Sequence, residues 1–406
     1  MTMALEGIRV IDWTIQQQGP ASTVMLGDMG AEVIKIEECV QGDPGRGLTG
    51  IMGLRPMAEG KMRNFYFEAN NRNKKGITLN LKKEKALDVV YRLGEKSDVF
   101  VQNYRQGVAE RLGLGYDTLY GYNPRLIYAT ASGYGIEGPD RAKPSIDPAA
   151  MARSGMMSLI TPPDMPPHYV PGGIADQIGA IMLAYGIMTA VVARERFGVG
   201  QRVDASHIAS MMWLQNLNMH QALFQGREPP KFRRDQAGNP LHNLYLCSDG
   251  KWLFIGLSQP ERFWPDFCCA LDIEDLTMDP RFESMGKRHE NRHELIAILD
   301  EKFITRTSAE WVIHLSQWPD FIFEPVNTLA DLISDPQVKA NEYIVNFDHP
   351  SHGQTRVMGV PVRLSRTPGS LRLPAPEFGQ HTEEVLQDVC GYSWDEISEL
   401  KNKGVF

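Results

Sequence analysis

The feature that most constrains this chain is the alternation, in its N-terminal part, of short apolar runs with stretches of helical spacing. Apolar runs fall at residues 8–12, 32–36, 77–81, 98–102 and 126–131, and amphipathic patterns lie between them at 21–29 and 83–95. Runs of that length bounded by turn residues suit buried strands, and helical crossovers between them require the strands to be parallel. The fold class is therefore α/β. In open sheets of this kind ligands sit beyond the carboxyl ends of the strands. Attention falls on Gln16-Gln17-Gln18 after the first run, Asn103-Tyr104-Arg105 after the fourth and Gly133-Tyr134-Gly135 after the fifth. Small and apolar residues from 174 to 196, stopped by Gly198 and Gly200, predict a long helix, and a second helical stretch covers 205–224. The polar, Pro- and Gly-bearing segment 226–240 is a linker candidate. Asp249-Gly250, between apolar runs 244–247 and 252–256, predicts a hairpin. From residue 348 the chain reads as extended until a final helix pair, 382–389 and 393–403.

At 406 residues the chain exceeds one ordinary core and predicts two domains, or one large domain with an insertion. A net charge of -8 argues against nucleic acid as partner, so an anionic ligand must be met by local cations. Five cysteines without a CxxC pair, and no histidines at ligand spacing, indicate neither a disulfide framework nor a bound metal. The first residues carry no cationic segment leading into an apolar run, and no apolar stretch approaches the ~18 residues of a membrane span. The expectation is a cytoplasmic protein with no membrane partner.

Asp176 follows Gly172-Gly173-Ile174-Ala175 at the opening of the long helix. It reads either as a first-turn acid stabilised by free N–H groups and the helix dipole, or as a carboxylate nucleophile with little bulk around it. The amides of Gln17 and Gln18 are either a solvated loop or donors to a developing oxyanion. The cluster Asn70-Asn71-Arg72-Asn73-Lys74-Lys75 and the group Asn103, Tyr104, Arg105 with Arg111 are either solvated surface or a cradle for phosphates. No phosphate-loop or dinucleotide fingerprint is present. His381 reads as packing beside a helix that Thr382 caps, rather than as a base. Met151, Met156, Met157, Met165, Phe254 and Trp264 are either core or an apolar acyl pocket.

Taken together these segments resemble the class III CoA-transferases, the family of formyl-CoA:oxalate and of carnitine and bile-acid CoA-transferases. The resemblance runs from Leu5-Glu6-Gly7-Ile8-Arg9-Val10 through Gly30-Ala31-Glu32-Val33, Gly42-Asp43 and the 70–75 cluster. It continues through residues 98–111, Asn123-Pro124-Arg125, Gly133-Tyr134-Gly135, Gly198-Val199-Gly200-Gln201-Arg202-Val203-Asp204, Asp335-Pro336 and Gly379-Gln380-His381-Thr382. It implies a Rossmann-like large domain with an inserted smaller α+β domain, in two subunits interlocked as a homodimer; a heteromer with a paralogous subunit is the other assembly. The implied domains are 1–225, carrying the CoA site and catalytic aspartate, the small domain 226–330, and a segment 331–406 returning to the first.

The resemblance also implies catalytic Asp176 and Gln17. CoA contacts are implied at Gln18, Asn70, Asn71, Arg72, Asn73, Lys75, Asn103, Tyr104, Arg105, Arg111 and Lys143. Coenzyme A and an acyl-CoA enter as substrates, with a carboxylic acid as acceptor and no tightly bound cofactor. Three departures matter. Glu38 stands where some members use arginine toward the nucleotide, and Phe254-Ile255-Gly256-Leu257-Ser258-Gln259 replaces the glycine-only loop of the oxalate enzymes, which argues against a small dicarboxylate such as oxalate, while the methionines and aromatics above favour a hydrophobic or aromatic acid. Ile146 precedes Asp147 where related α-methylacyl-CoA racemases have histidine, so proton exchange lacks a second base. A racemase-like enzyme and a non-catalytic acyl-CoA-binding subunit are the alternative readings.

Overall fold

The computed structural model describes residues 2–48, 64–351 and 353–406. The chain divides into two compact units, one of residues 1–159, 167–229 and 342–406, the other of residues 160–166 and 230–341.

The first unit is built on a six-stranded parallel sheet: β1 (Arg9–Trp13), β2 (Glu32–Glu37), β3 (Lys74–Thr78), β4 (Val99–Gln102), β5 (Ile127–Ser132) and β6 (Arg202–Ser206). Their order is β3-β2-β1-β4-β5-β6. The order reverses between β1 and β4, which pair in register from Val10↔Val99 to Trp13↔Gln102, and a crevice opens at such a reversal. The helices are α1 (Gln18–Asp28), α2 (Phe65–Asn71), α3 (Glu84–Glu95), α4 (Asp147–Arg153), α5 (Ile174–Phe197), α6 (His207–Leu214) and α7 (Asn216–Gln225). Because side chains alternate along a strand, both sheet faces are apolar. Ile11, Ile34 and Phe100 pack with Val89, Val90 and Leu93 of α3, whereas Val10, Val33, Val101 and Ala129 pack with Leu183, Ile187 and Val191 of α5. Each such aliphatic side chain contributes about 1.5–3 kcal/mol by leaving water.

Three expectations need correction. The strand placed at 77–81 starts at Lys74, so part of the basic cluster lies in the sheet. The helix expected from 205 is preceded by an unforeseen strand, β6, and is broken at Gln215. Residues expected as extended chain form an antiparallel hairpin, as described below. The alternating and mixed polar pattern of these segments concealed them.

The second unit is a three-stranded antiparallel sheet, β7 (His242–Leu246), β8 (Trp252–Gly256) and β9 (Phe323–Pro325), with α8 (Pro260–Ala270), α9 (Arg292–Phe303) and α10 (Ser308–Leu315). The Asp249-Gly250 turn joins β7 to β8 with Gly250 at φ 75°. Its own core is centred on Tyr245, Phe267, Phe303 and Trp311. The chain then forms the hairpin β10 (Ile344–His349) and β11 (Gly353–Met358) and ends in α11 (Thr382–Asp388) and α12 (Trp394–Asn402). Val385 and Leu400 of these last helices join the first unit's core. The segment also covers the edge strand β3. Gly76 N–H donates to His381 Nδ1 at 3.1 Å and Thr78 N–H to Thr382 Oγ1 at 3.1 Å, satisfying donors that an open edge leaves exposed. Thr382 therefore does not cap its helix; His381 occupies the cap position, and its side chain makes no capping bond to the helix.

Beneath the crevice lies a buried ionic network. Lys74 Nζ donates to Asp12 Oδ2 at 2.8 Å and Lys35 Nζ to Asp43 Oδ2 at 2.9 Å, with all four side chains withdrawn from water. Burial opposes ionisation of Asp12, but the charges of Lys74 and Lys35 outweigh it and hold the carboxyl at about 2. Burial brings Lys74 down to about 8, only partly offset by Asp12. A carboxylate depressed in the folded state contributes stability above its unfolded pKa and loses it as pH falls through the folded one. Urea titrations are expected to show Asp12 contributing about 2 kcal/mol above pH ~4 that is lost toward pH ~2. Asp12→Ala, which strands Lys74 in the core, is expected to cost about 3–5 kcal/mol.

Candidate functional site

The long helix α5 opens with two glycines in left-handed conformations, Gly172 at φ 110° and Gly173 at φ 76°, and no side chain of its own caps it. Its free N–H groups are met from elsewhere. Asp147, the first residue of α4, accepts from Ala175 N–H at 2.6 Å and Asp176 N–H at 3.2 Å through Oδ1. Burial raises the Asp147 pKa against the pull of these two bonds. Asp147 thus performs the capping that the sequence offered to Asp176.

Asp176 is released from that duty. Among the described residues its carboxylate has one hydrogen-bond partner, His207 Nε2, 2.9 Å from Oδ1. His207 is the first residue of α6, at the carboxyl end of β6. Ser206 caps that helix by accepting from Ala209 N–H at 3.2 Å, and Ile208 N–H donates to Gly133 O at the end of β5. The side chains of His207 and Asp176 are 7% and 19% exposed. Sequence reasoning passed over His207, because a histidine in an apolar helix pattern carries no signal until the sheet places it. It also passed over Tyr66, whose phenol is pushed above its ordinary range by burial and then by the charges of Asp176, Asp43 and Asp147.

Gln17 and Gln18 lie buried against the first turns of α5. Gln17 Nε2 donates to Gly172 O at 3.4 Å. A methyl group on Gly173 would overlap the Gln17 amide, and one on Gly179 would come within 2.6 Å of Gln18 Nε2, a buried donor without a partner among the described residues. The preceding residue, Gln16, holds a positive φ of 63°, an uncommon conformation that surrounding bonds must impose. Gln16 N–H donates to Asp43 Oδ1 at 2.9 Å, and Ile15 exchanges two backbone bonds with the Asn103 amide at 2.9 and 2.8 Å. Asn103 therefore ties the loop after β4 to the loop after β1 across the crevice. Tyr104 stacks on Trp13 with centroids 4.2 Å apart, and burial pushes its phenol up to about 12.

The 70–75 cluster does not present the free donors expected of it. Arg72 makes a two-pronged pair with Asp28 and donates to Met358 O. The Asn73 amide donates to Asp28 and Ser370 O and accepts from Arg372 and Leu373. Lys75 pairs with Glu32 and Glu384. Asn70 and Asn71 are buried and donate to backbone carbonyls of α2, while Asn71 also accepts from Lys74. These groups weld β3 to the C-terminal segment and α1, since a buried donor left unpaired costs more than a pair contributes. Arg105, Arg111 and Lys143 are exposed and have no ion pair among the described residues. Gln106 Nε2 reaches Ile136 O at 3.4 Å, joining the β4 loop to the β5 loop.

Glu38, exposed, accepts from Val40 and Gln41 N–H and so closes the turn after β2. Met151 is buried in the first unit, Trp264 is buried in the core of the second, and Met165 is exposed.

A doubly wound parallel sheet that gathers buried amides and two neighbouring carboxylates, Asp147 and Asp176, beyond its strand ends is the architecture of an α/β protein with a ligand site at the switch point. The chain belongs to CoA-transferase family III, whose sequence model matches residues 5–382. It is 34% identical, over 99% of this chain and 88% of the relative, to an acyl-CoA transferase of Fusarium pseudograminearum. It is 30% identical, over 99% of both chains, to the (R)-2-hydroxy-4-methylpentanoate CoA-transferase of Clostridioides difficile. The crystal structure of a CAIB/BAIF family protein from Brucella suis superposes with a TM-score of 0.84 at 26% identity, covering 96% of this chain and all of that one.

Gly173→Ala is expected to lower stability by about 1–2 kcal/mol through its left-handed backbone and to push the Gln17 amide off α5. Thermal unfolding and a crystal structure check it; an unmoved Gln17 would contradict the crowding argument.

Proposed function

We propose that this enzyme moves coenzyme A from an acyl-CoA donor to a carboxylic acid through a covalent intermediate on Asp176. The observation that carries the reading is the isolation of that carboxylate. Its helix's first N–H groups are already capped by Asp147, one oxygen rests on His207, and the other has no partner among the described residues. A carboxylate relieved of structural duty is a competent nucleophile toward a thioester.

The free oxygen attacks the donor's acyl carbon and expels CoA thiolate, leaving a mixed anhydride. The thiolate attacks the aspartyl carbonyl, releases the donor acid and forms an aspartyl-CoA thioester. The acceptor's carboxylate then displaces the thiolate to make a second anhydride. Thiolate attack on the acceptor's acyl carbon releases the new thioester and free Asp176. The Gln17 amide, packed on the same turn, supports the oxyanion formed at the substrate acyl carbon. Arg105, Arg111 and Lys143, exposed at the crevice end of the sheet, are assigned the CoA phosphates, because the cations at 72–75 are held by carboxylates.

Treatment with acyl-CoA and hydroxylamine is expected to convert Asp176 to its hydroxamate, read by mass spectrometry of its peptide. Asp176→Asn should abolish the mark and lower transfer at least about 10⁴-fold. Binding of CoA esters with Asp176 never marked would favour a silent acyl-CoA-binding subunit instead.

The interlocked dimer is part of the same proposal. Its support is an apolar face that one chain leaves uncovered: Tyr185 and Phe197 on α5, Trp213 on α6, and Leu217, Leu223 and Phe224 on α7. Helix α5 is long and apolar enough to cross a membrane by composition, yet one side is buried on the sheet; a second copy is assigned to the other side. Sedimentation should show a dimer, and Trp213→Asp with Phe224→Asp should give monomer or aggregate; a wild-type monomer would contradict this.

A further inference from the structure

We infer that His207 decides which oxygen of Asp176 attacks and which one stays, a positioning role that rests on the covalent reading above. A carboxylate only accepts hydrogen bonds, so the shared proton sits on His207 Nε2, 2.9 Å from Oδ1. His207 Nδ1 is buried and unpartnered among the described residues, so no second bond draws the proton to that nitrogen. The backbone on either side of His207 is held by the Ser206 cap and by the Ile208 N–H bond to Gly133 O, and the side chain is 7% exposed, so the ring is confined.

The consequence follows atom by atom. Oδ2 makes the bond to the donor's acyl carbon. When thiolate attacks the aspartyl carbon, the electron pair moves onto Oδ1, where His207 N–H already points. Collapse expels the donor acid, which carries the former Oδ2 away. The acceptor carboxylate later contributes one of its own oxygens, which remains on Asp176 as the new Oδ2. Oδ1 therefore survives every cycle and serves each time as the oxyanion, while the other position is renewed.

An acceptor acid with both carboxylate oxygens replaced by heavy oxygen tests this over many turnovers, the Asp176 peptide being weighed afterwards. Wild-type protein should saturate at one heavy oxygen. In His207→Leu the carboxylate is free to flip between cycles, so the label should rise to two, and kcat should fall about 100-fold with KM for the acyl-CoA changed little. His207→Gln, which keeps an N–H donor, should recover to within about tenfold of wild type and return the label to one. Two heavy oxygens in wild type, or one in His207→Leu, overturns the inference while leaving the covalent route intact. No label in wild type sinks the covalent route itself. A merely structural histidine would move kcat with both substitutions alike and leave the label count unchanged.

Discussion

The site depends on the ion network buried under the crevice, in which Asp12 meets Lys74 and Lys35 meets Asp43. Four charges withdrawn from water are stable only if every lone pair and proton finds a partner. Here the leftover valences reach the loop above. Asp43 Oδ1 accepts from Gln16 N–H and Gly45 N–H, Lys35 donates to Thr14 O, and Lys74 donates to Pro20 O. The loop that carries Gln17 and Gln18 is thereby held from below at several points, which is what a positive φ at Gln16 requires. Removing any one charge would disturb the packing and the placement of the amides together.

A second dependence runs through the start of α5. Two left-handed glycines deny this helix a side-chain cap of its own, and the second, Gly173, leaves space that a Cβ would take from Gln17. Asp147 supplies the cap from another helix. The division of labour between two nearby carboxylates follows: one is engaged by backbone N–H groups, the other faces an imidazole and the crevice. This glycine pair therefore bears on helix capping, on the placement of the Gln17 amide and on the surroundings of the Asp176 carboxylate.

Much of this was legible in the sequence. Apolar runs between helical stretches placed five of the six strands, because buried parallel strands must be apolar on both faces. The hairpin at Asp249-Gly250 and the long helix ending at Gly198 rest on local backbone rules, and they stand. Strand β6 was missed because its polar residues, Arg202 and Asp204, mask an edge strand. The partners of the 70–75 cluster were hidden for a different reason. Charge is visible in sequence, but Asp28, Glu32 and Glu384, which neutralise it, lie far away along the chain.

The chain alone determined the class of fold, the loops at the strand ends and the long helix that Asp176 opens, because periodicity, glycine and proline act locally. Tertiary structure decided what surrounds that acid. Asp147, His207 and Tyr66 come to it from separate elements, and nothing in their neighbours along the chain announces it. Whether a carboxylate caps a helix or is left free depends on which other groups reach the same few N–H donors. That competition exists only once β5 and β6 lie side by side and α4 is packed against α5.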